Sequence, residues 1–130
     1  MSHLTTLKSE LNDLSAVADA AKDLGAVWTA GRGSKVVGRG WGSATFEADH
    51  LITIPGCKYD VGVFVGEGGM LSFSSDLYTG EVEASLGKGL LQLKRHAAAH
   101  VATKAMRKAH RGKRVRRKVL TDGTIRLQVG

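Results

Sequence analysis

The chain has little of several residue types that stabilise or anchor particular classes of protein. Its 130 residues include one cysteine, one proline, two tryptophans, two tyrosines and three phenylalanines. Because Cys57 has no second cysteine to pair with, an internal disulfide is excluded and a reducing compartment is favoured. No stretch approaches the roughly 18 apolar residues that span a membrane, and the first residues lack the pattern of a signal peptide. We therefore expect an unexported, cytoplasmic protein without a membrane partner.

Sequence motifs for catalysis and cofactor binding are missing as well. The chain contains no HExxH, CxxC or nucleotide-binding fingerprint, and its GRGSK segment lacks the glycine spacing of a Walker loop. We therefore assign no catalytic residue, metal ligand or cofactor, and we expect a protein that is not an enzyme. The predicted central strands do carry four carboxylates, which keep a small metal-dependent hydrolase as the weakest alternative. These carboxylates are Glu47, Asp49, Asp60 and Asp76.

Charge is divided unevenly along the chain. Residues 1–87 hold 6 Lys/Arg and 11 Asp/Glu, whereas residues 88–130 hold 13 Lys/Arg and a single acid, Asp122. Solubility does not require this segregation, because mixed charges keep a domain soluble equally well. The basic end therefore indicates an anionic counterpart, which could be nucleic acid, an acidic protein surface or the acidic part of this protein.

Hydrophobic periodicity predicts one α+β domain over residues 1–130, an antiparallel sheet of about five to seven strands with two helices packed on one face. The predicted elements are a strand near Leu4 to Leu7, a helix from Leu14 to Leu24, strands over Ala26 to Ala30, Phe46 to Ile54, Tyr59 to Val65 and Met70 to Ser75, a helix from about Leu90 to Ala109, and a hairpin over Arg114 to Val129. Asn12 or Asp13 is expected to cap the first helix, which Gly25 ends. His3 is interpreted as a strand residue, and Gly31 to Gly42 as a loop.

The second predicted helix is amphipathic, with alanine-rich and cationic sides. At 100° per residue, one arc collects mostly alanine, which predicts a buried face close to the sheet. This arc contains Leu90, Leu91, Ala97, Ala98, Val101, Ala102, Ala105 and Ala109. The other arc is predicted to form a solvent-facing ridge, and it contains Arg95, His96, His100, Thr103, Lys104, Arg107 and Arg111.

The C-terminal hairpin allows two registers, and one of them separates charge from core. A three-residue loop from Thr121 to Gly123, with Gly123 left-handed, aligns the apolar residues on one face. In this register Lys118 lies opposite Arg126 on the outer face, and Arg117 is the one cation on the inner face. The inner apolar residues are Val115, Val119, Ile125, Leu127 and Val129.

Cations of the helix and the hairpin are the main candidate binding residues, because Lys and Arg spaced along one surface can reach successive phosphates. The predicted nucleic-acid-binding residues are Arg95, Lys104, Arg107, Arg111, Arg114, Arg116, Lys118 and Arg126. A secondary candidate is the glycine-rich loop, whose backbone N–H groups and cations could hold a phosphate. Its residues are Arg32, Lys35, Arg39 and Trp41, although an ordinary hairpin loop explains them too.

Several segments taken in order resemble an uncharacterised family. They are MSHLTTLKSELNDL, KDLG, GRGWG followed by ATFEADHLI, KYDVGVFV, FSSD and LTDGTIRLQV. Together they are similar to the hypothetical chloroplast reading frame thirty-five family of cyanobacteria and red-algal plastids, also called domain of unknown function twelve fifty-seven, which has relatives in phages and other bacteria. The resemblance covers nearly the whole chain and implies a small α+β domain, without an established reaction, cofactor or catalytic residue. The segment HAAAHVATKAMRKAHRGKRVRRK departs from the family, whose members often carry acidic and aromatic residues there.

The sequence thus predicts a non-enzymatic accessory protein that binds nucleic acid without sequence specificity. The basic segment lacks the aromatic side chains that stack on bases, so contacts to the phosphate backbone are expected. The alternative is a protein-interaction or assembly module that docks an acidic partner or another copy of the chain. His96 and His100 have a spacing suited to two metal ligands, but surrounding cations favour imidazoles that extend the basic surface as pH falls.

Overall fold

A computed structural model describes residues 4–77 and 79–129 of the chain. The fold is mixed α+β, as the sequence predicts, and His3 lies outside the described residues. Its elements are β1 (Leu4–Lys8), α1 (Leu14–Asp23), β2 (Val27–Ala30), β3 (Val36–Arg39), β4 (Thr45–Ala48), β5 (His50–Thr53), β6 (Val61–Val65), β7 (Leu71–Asp76), α2 (Glu81–Leu86), α3 (Leu91–Ala109), β8 (Val115–Val119) and β9 (Ile125–Val129). Short 3-10 turns precede β7 and α3.

The main sheet has five antiparallel strands in the order β1-β7-β6-β5-β2. β5, β6 and β7 form the predicted meander, because each is joined to the next by a short turn. The other strands form two separate two-stranded ribbons, β3-β4 and β8-β9. This arrangement matches the predicted antiparallel sheet, and the predicted hairpin at the C-terminal end is confirmed as the second ribbon.

Two long helices cover one face of the main sheet, as predicted. Asp13 caps the N-terminus of α1, since its carboxylate accepts a hydrogen bond from the Ala16 N–H at 3.0 Å. Gly25 follows the end of α1 with a φ of 79°. The helices and the sheet share one apolar core. Its fully buried members include Val17, Ala20, Ala21, Ile52, Val61, Val63, Phe73, Leu93 and Ala97. α2 was not predicted, and it adds the buried side chains of Val82 and Leu86 to the same core.

Residues 31–42, predicted to be a loop, contain the strand β3, so that prediction was wrong. β3 pairs with β4 to form a hairpin against the other face of the sheet. The predicted long strand over Phe46 to Ile54 is also divided at Asp49 into β4 and β5, which belong to different sheets. Asp49 is held at this break because its carboxylate binds Lys35 and accepts from the Val65 N–H at 2.8 Å.

Glycine allows the β3-β4 ribbon to sit close to the sheet. A Cβ atom added at Gly62 of β6 would lie 2.6 Å from Phe46 Cε2, 3.0 Å from Ala48 Cβ and 3.1 Å from Phe64 Cε2. Real Cβ atoms do not approach other heavy atoms as closely as 2.6 Å. The Phe46 ring therefore packs directly on the backbone of Gly62, and this contact fixes the distance between the ribbon and the sheet.

We predict that Gly62→Ala lowers the free energy of unfolding by about 1–3 kcal/mol, because the methyl group forces these three neighbours apart. Urea unfolding followed by circular dichroism measures this change. Gly40→Ala is the matched control, since a Cβ there meets its nearest heavy atom at 3.6 Å, and it should change stability by less than about 1 kcal/mol. Equal effects of the two substitutions would contradict the proposed close packing.

Candidate nucleic-acid interface

The C-terminal hairpin adopts the register that the sequence favours. Val115 lies opposite Val129, Lys118 lies opposite Arg126, and Val119 lies opposite Ile125. The Gly123 N–H donates to the Leu120 carbonyl at 2.9 Å, and Gly123 has a φ of 85°, so the three-residue loop with a left-handed glycine is confirmed. The hairpin consequently has an apolar face and a cationic face.

The apolar face of the hairpin packs over α3. Val115 is buried, and Ile125, Leu127 and Val129 are partly buried, whereas Val119 remains 53% exposed. Arg95 of α3 reaches the hairpin turn and donates from Nη1 to the Asp122 carbonyl at 3.2 Å. An open cleft of about 320 Å³ lies between part of α3 and β9. Its lining includes Ala98, Ala99, Ala102, Ile125 and Leu127.

The prediction for the faces of α3 was wrong for several residues, because some predicted ridge residues face the protein and some predicted core residues are exposed. His96 and Thr103 are buried, and His100 is partly buried, whereas Leu91, Val101 and Ala105 are exposed. α3 packs against α1, where Asp23 binds His96 and His100, and α3 also supports the hairpin on another side. The Thr103 hydroxyl donates to the Ala99 carbonyl of its own helix at 2.7 Å. A helix that is covered on two sides does not follow the one-face pattern on which the prediction rested.

One carboxylate, that of Asp23 at the end of α1, connects three elements. Its Oδ2 atom lies 3.2 Å from His96 Nδ1, 2.6 Å from His100 Nε2 and 2.9 Å from Arg117 Nη1 of β8. We call these four residues the Asp23 cluster. Because an ionised carboxylate only accepts hydrogen bonds, the two histidine nitrogens are the donors. The cluster therefore attaches the inner face of the hairpin to both long helices.

The partners of Asp23 also stabilise its negative charge. Burial raises the pKa of this carboxyl, but hydrogen bonds from Arg117, His100 and His96 outweigh burial and lower the pKa from 3.8 to about 2. The two histidines are thus engaged with an acid, and the prediction that they extend the basic surface was wrong. The described residues include no group of three or more His, Cys, Asp or Glu side chains that could hold a metal ion.

Two of the eight predicted nucleic-acid-binding residues are bound within the protein. Arg95 holds the hairpin turn, as described above. Lys104 Nζ donates to Asp13 Oδ2 at 3.1 Å and to Ser15 Oγ at 2.7 Å, so it neutralises the residue that caps α1. Both cations stabilise contacts between elements, and we remove them from the candidate interface.

The other six predicted residues are exposed and lie on the hairpin or at the end of α3 and after it. None of the six makes an ion pair with a described carboxylate. Arg116, Lys118 and Arg126 share the outer face of the hairpin, since they alternate with the inner apolar residues. Arg114 directly precedes β8, and the remaining two are Arg107 and Arg111. We call the three cations on the outer face the hairpin patch.

The predicted secondary site in the glycine-rich loop does not form as one unit. Arg39 makes two hydrogen bonds with the buried carboxylate of Asp60, from Nη2 to Oδ1 at 2.9 Å and from Nε to Oδ2 at 3.1 Å. Lys35 instead pairs with Asp49; it directly precedes β3, whereas Arg39 is the last residue of that strand. Trp41 lines a different cavity together with Leu4. Only Arg32 and Lys35 remain close in the chain, at the turn before β3.

The four carboxylates considered for hydrolysis also have separate environments. Asp49 and Asp60 are neutralised by Lys35 and Arg39, respectively, and Glu47 is exposed on the β3-β4 ribbon. Asp76 is buried at the end of β7. Among the described residues, therefore, no pair of these carboxylates is arranged with a metal-binding group, and we assign them no chemistry.

Sequence reasoning missed the Asp23 cluster, although one signal was present. The register placed a single cation, Arg117, on the apolar inner face, where an unpaired charge is unfavourable. Such a cation requires an acidic partner on the opposing element, and Asp23 ends the helix beneath it. The sequence alone did not identify this partner, because it does not fix which residues of α1 approach the hairpin.

We predict that Asp23→Asn lowers the free energy of unfolding at pH 7 by about 1 kcal/mol, a value that allows for solvent screening of this accessible group. The native pKa of Asp23 is depressed, so its contribution is present above the unfolded value of 3.8 and disappears as pH falls from about 4 to about 2. Denaturant unfolding at a series of pH values measures this difference. The control Asp19→Asn, on the same helix, should have a smaller effect, and equal pH profiles for Asp23→Asn and wild type would refute the assignment.

Comparison of the chain with protein-family models, curated proteins and solved structures finds no match. The resemblance to the hypothetical chloroplast reading frame thirty-five family therefore stays a prediction. Among the described residues, no helix has the length and apolar character needed to cross a membrane.

Proposed function

We propose that this protein is a non-enzymatic nucleic-acid-binding protein that contacts the phosphate backbone without reading sequence. The hairpin patch is the main contact surface, and Arg114 and the cations at the end of α3 extend it. The observation that carries this proposal is the outer face of the hairpin, where exposed cations have no described carboxylate within ion-pair distance.

Repulsion between the cations of the hairpin patch destabilises the hairpin when no anion is bound. Lys118 and Arg126 lie directly opposite each other across the two strands, and like charges in this position destabilise a hairpin by about 0.2–1 kcal/mol. Arg116 lies two residues from Lys118 on the same face. A bound polyanion removes this repulsion, because each phosphate neutralises cations that otherwise repel one another.

The only acid of the basic segment does not neutralise the hairpin patch. Asp122 lies in the turn, where its Oδ1 accepts from the Thr124 N–H at 2.9 Å. Hydrogen bonds with Thr124 lower the pKa of Asp122, and this carboxylate makes no ion pair with a cation of the hairpin patch. The positive field of the outer face is thus left to attract an external anion.

The cations at the end of α3 support the proposal less directly. Arg107 and Lys108 occupy the last turn of α3, where positive charge also favours the helix dipole. A structural explanation exists for these two residues, whereas none of the described contacts explains the hairpin patch. We therefore base the experiment on the hairpin.

Phosphate contact is favoured over base recognition by the composition of this surface. Residues 88–130 contain no Phe, Tyr or Trp, the side chains on which unpaired bases stack. Arg and Lys bind phosphate oxygens through charge and hydrogen bonds that do not depend on sequence. Binding should therefore be similar for oligonucleotides of unrelated sequence.

We predict that a fluorescent DNA or RNA oligonucleotide binds the protein with an affinity that falls by about 10²- to 10³-fold between 50 and 200 mM salt. Fluorescence anisotropy measures this affinity. The triple variant Arg116→Gln, Lys118→Gln, Arg126→Gln should bind more weakly and reduce the slope of log affinity against log salt by about 2 to 3. This reduction reflects the three phosphate contacts that are lost.

The matched control removes three exposed lysines from the acidic part of the chain, Lys8→Gln, Lys22→Gln and Lys58→Gln. This control has the same net charge as the triple variant, so the comparison separates the effect of local contacts on binding from the effect of net charge. A slope that falls equally in both variants, or the absence of measurable binding at low salt, would overturn the proposal. Stronger binding to polyglutamate than to the oligonucleotide would favour the alternative of an acidic protein partner, and concentration-dependent light scattering would favour a second copy of the chain.

A further inference from the structure

A cavity outside the hairpin is a second candidate binding site. An open cavity of about 430 Å³ is formed by the turn before β3, the break between β4 and β5, and the end of β6. Its lining residues are Gly33, Ser34, Lys35, Asp49, His50 and Val65. No residue of the hairpin lines it, so its role is independent of the proposed function. Binding sites for small molecules have volumes in this range.

The orientation of His50 leaves one ring nitrogen available to a ligand. The Gly31 N–H donates to His50 Nδ1 at 3.0 Å, so Nδ1 is the accepting nitrogen of the neutral ring. The proton of the neutral imidazole is therefore on Nε2, which becomes a hydrogen-bond donor. Trp28 stacks on the same ring, with centroids 5.3 Å apart and planes inclined by 20°, and this contact fixes the ring plane.

Asp49 is the one acid among the described residues that line the cavity, and both of its oxygens already accept hydrogen bonds. Asp49 Oδ1 accepts from Lys35, and Oδ2 accepts from the Val65 N–H at 2.8 Å. The hydrogen bond from Lys35, followed by that from Val65, lowers the pKa of Asp49, so the carboxylate is ionised and satisfied. Asp49 thereby holds the Lys35 ammonium at the cavity wall. An ammonium has three N–H groups, and two of them remain after the bond to Asp49.

The side-chain groups left for a ligand are mainly donors. They are the Lys35 ammonium, the His50 Nε2–H and the Ser34 hydroxyl, which lie on the walls of the same cavity. Arg32 stands exposed on the turn beside them and adds a positive charge. A group with several accepting oxygens and negative charge matches this set better than a cation or an apolar molecule.

We propose that this cavity binds the phosphate group of a small phosphate monoester. The phosphate oxygens accept hydrogen bonds from Lys35, Ser34 and His50 Nε2, and the Lys35 and Arg32 charges compensate the dianion. The Lys35–Asp49 pair positions the ammonium, and the Gly31–His50 bond positions the imidazole. The remaining volume admits an organic group of about nucleoside size attached to the phosphate.

Trp28 provides a direct test, because it stacks on a ring that the ligand contacts. In a Trp41→Phe background, Trp28 is the sole tryptophan, and its fluorescence is titrated with adenosine monophosphate, inorganic phosphate and adenosine. We expect saturable changes with the first two and none with adenosine. Lys35→Gln should weaken phosphate binding by at least about tenfold, the effect of losing a charged hydrogen-bond donor. Ser34→Ala should weaken it severalfold.

Lys22→Gln is the matched control, since it removes one exposed lysine from α1, outside the cavity, and it should leave binding unchanged. The Ser34→Ala variant keeps the Lys35–Asp49 pair, so it tests the site even if Lys35→Gln fails to fold. The proposal is overturned if none of the three probes gives a saturable change, if adenosine binds as well as its monophosphate, or if Lys35→Gln and Lys22→Gln have equal effects. None of these outcomes bears on oligonucleotide binding by the hairpin patch, which anisotropy measures separately.

Discussion

The arrangement of the basic end depends on the shared carboxylate of Asp23. It accepts from His96 and His100 of α3 and from Arg117 of β8, so one ionised group connects both long helices to the hairpin. The partners come from distant parts of the chain, and the Arg117–Asp23 pair joins residues 94 positions apart. Because Arg117 faces inwards, the strand alternation directs its neighbours Arg116 and Lys118 outwards. An internal ion pair thereby determines which cations the protein presents to solvent.

Charge segregation along the chain has two physical explanations, and the structure divides the cations between them. Asp13 and Asp23, from the acidic part, bind Lys104 and Arg117 from the basic part. Part of the charge segregation therefore serves to hold the helices and the hairpin together through these ion pairs. The cations of the hairpin patch have no such partner among the described residues, so the proposal of an external polyanion rests on them and not on the total charge.

Local signals predicted much of the fold correctly. Asp13 and Gly25 mark the ends of α1, since a carboxylate cap and a left-handed glycine act within a few residues. The hairpin register followed from the requirement that apolar side chains share one face. β3 was missed because its short sequence, Val36 to Arg39, contains one glycine and is flanked by further glycines, and this composition indicates a loop.

Features that depend on tertiary partners could not be predicted. Several residues of α3 were assigned to the wrong face, because the buried His96 binds Asp23 of α1 and the buried Thr103 binds a carbonyl of its own helix. The sequence indicated that Arg39 could bind phosphate. In the structure, Asp60, 21 residues away, accepts its hydrogen bonds. In each case a polar side chain was interpreted as a surface group, whereas the folded protein supplies an internal hydrogen-bond acceptor for it.

Hydrogen exchange of the β8 and β9 amides tests most directly whether the Asp23 cluster holds the hairpin in place. An isolated two-stranded hairpin is at best marginally stable in water, so its amides depend on docking for protection. Arg117→Met should accelerate their exchange by about tenfold or more, whereas Arg116→Met, which removes an outward cation, should leave it unchanged. Unchanged exchange in Arg117→Met, or equal acceleration in both variants, would contradict the account.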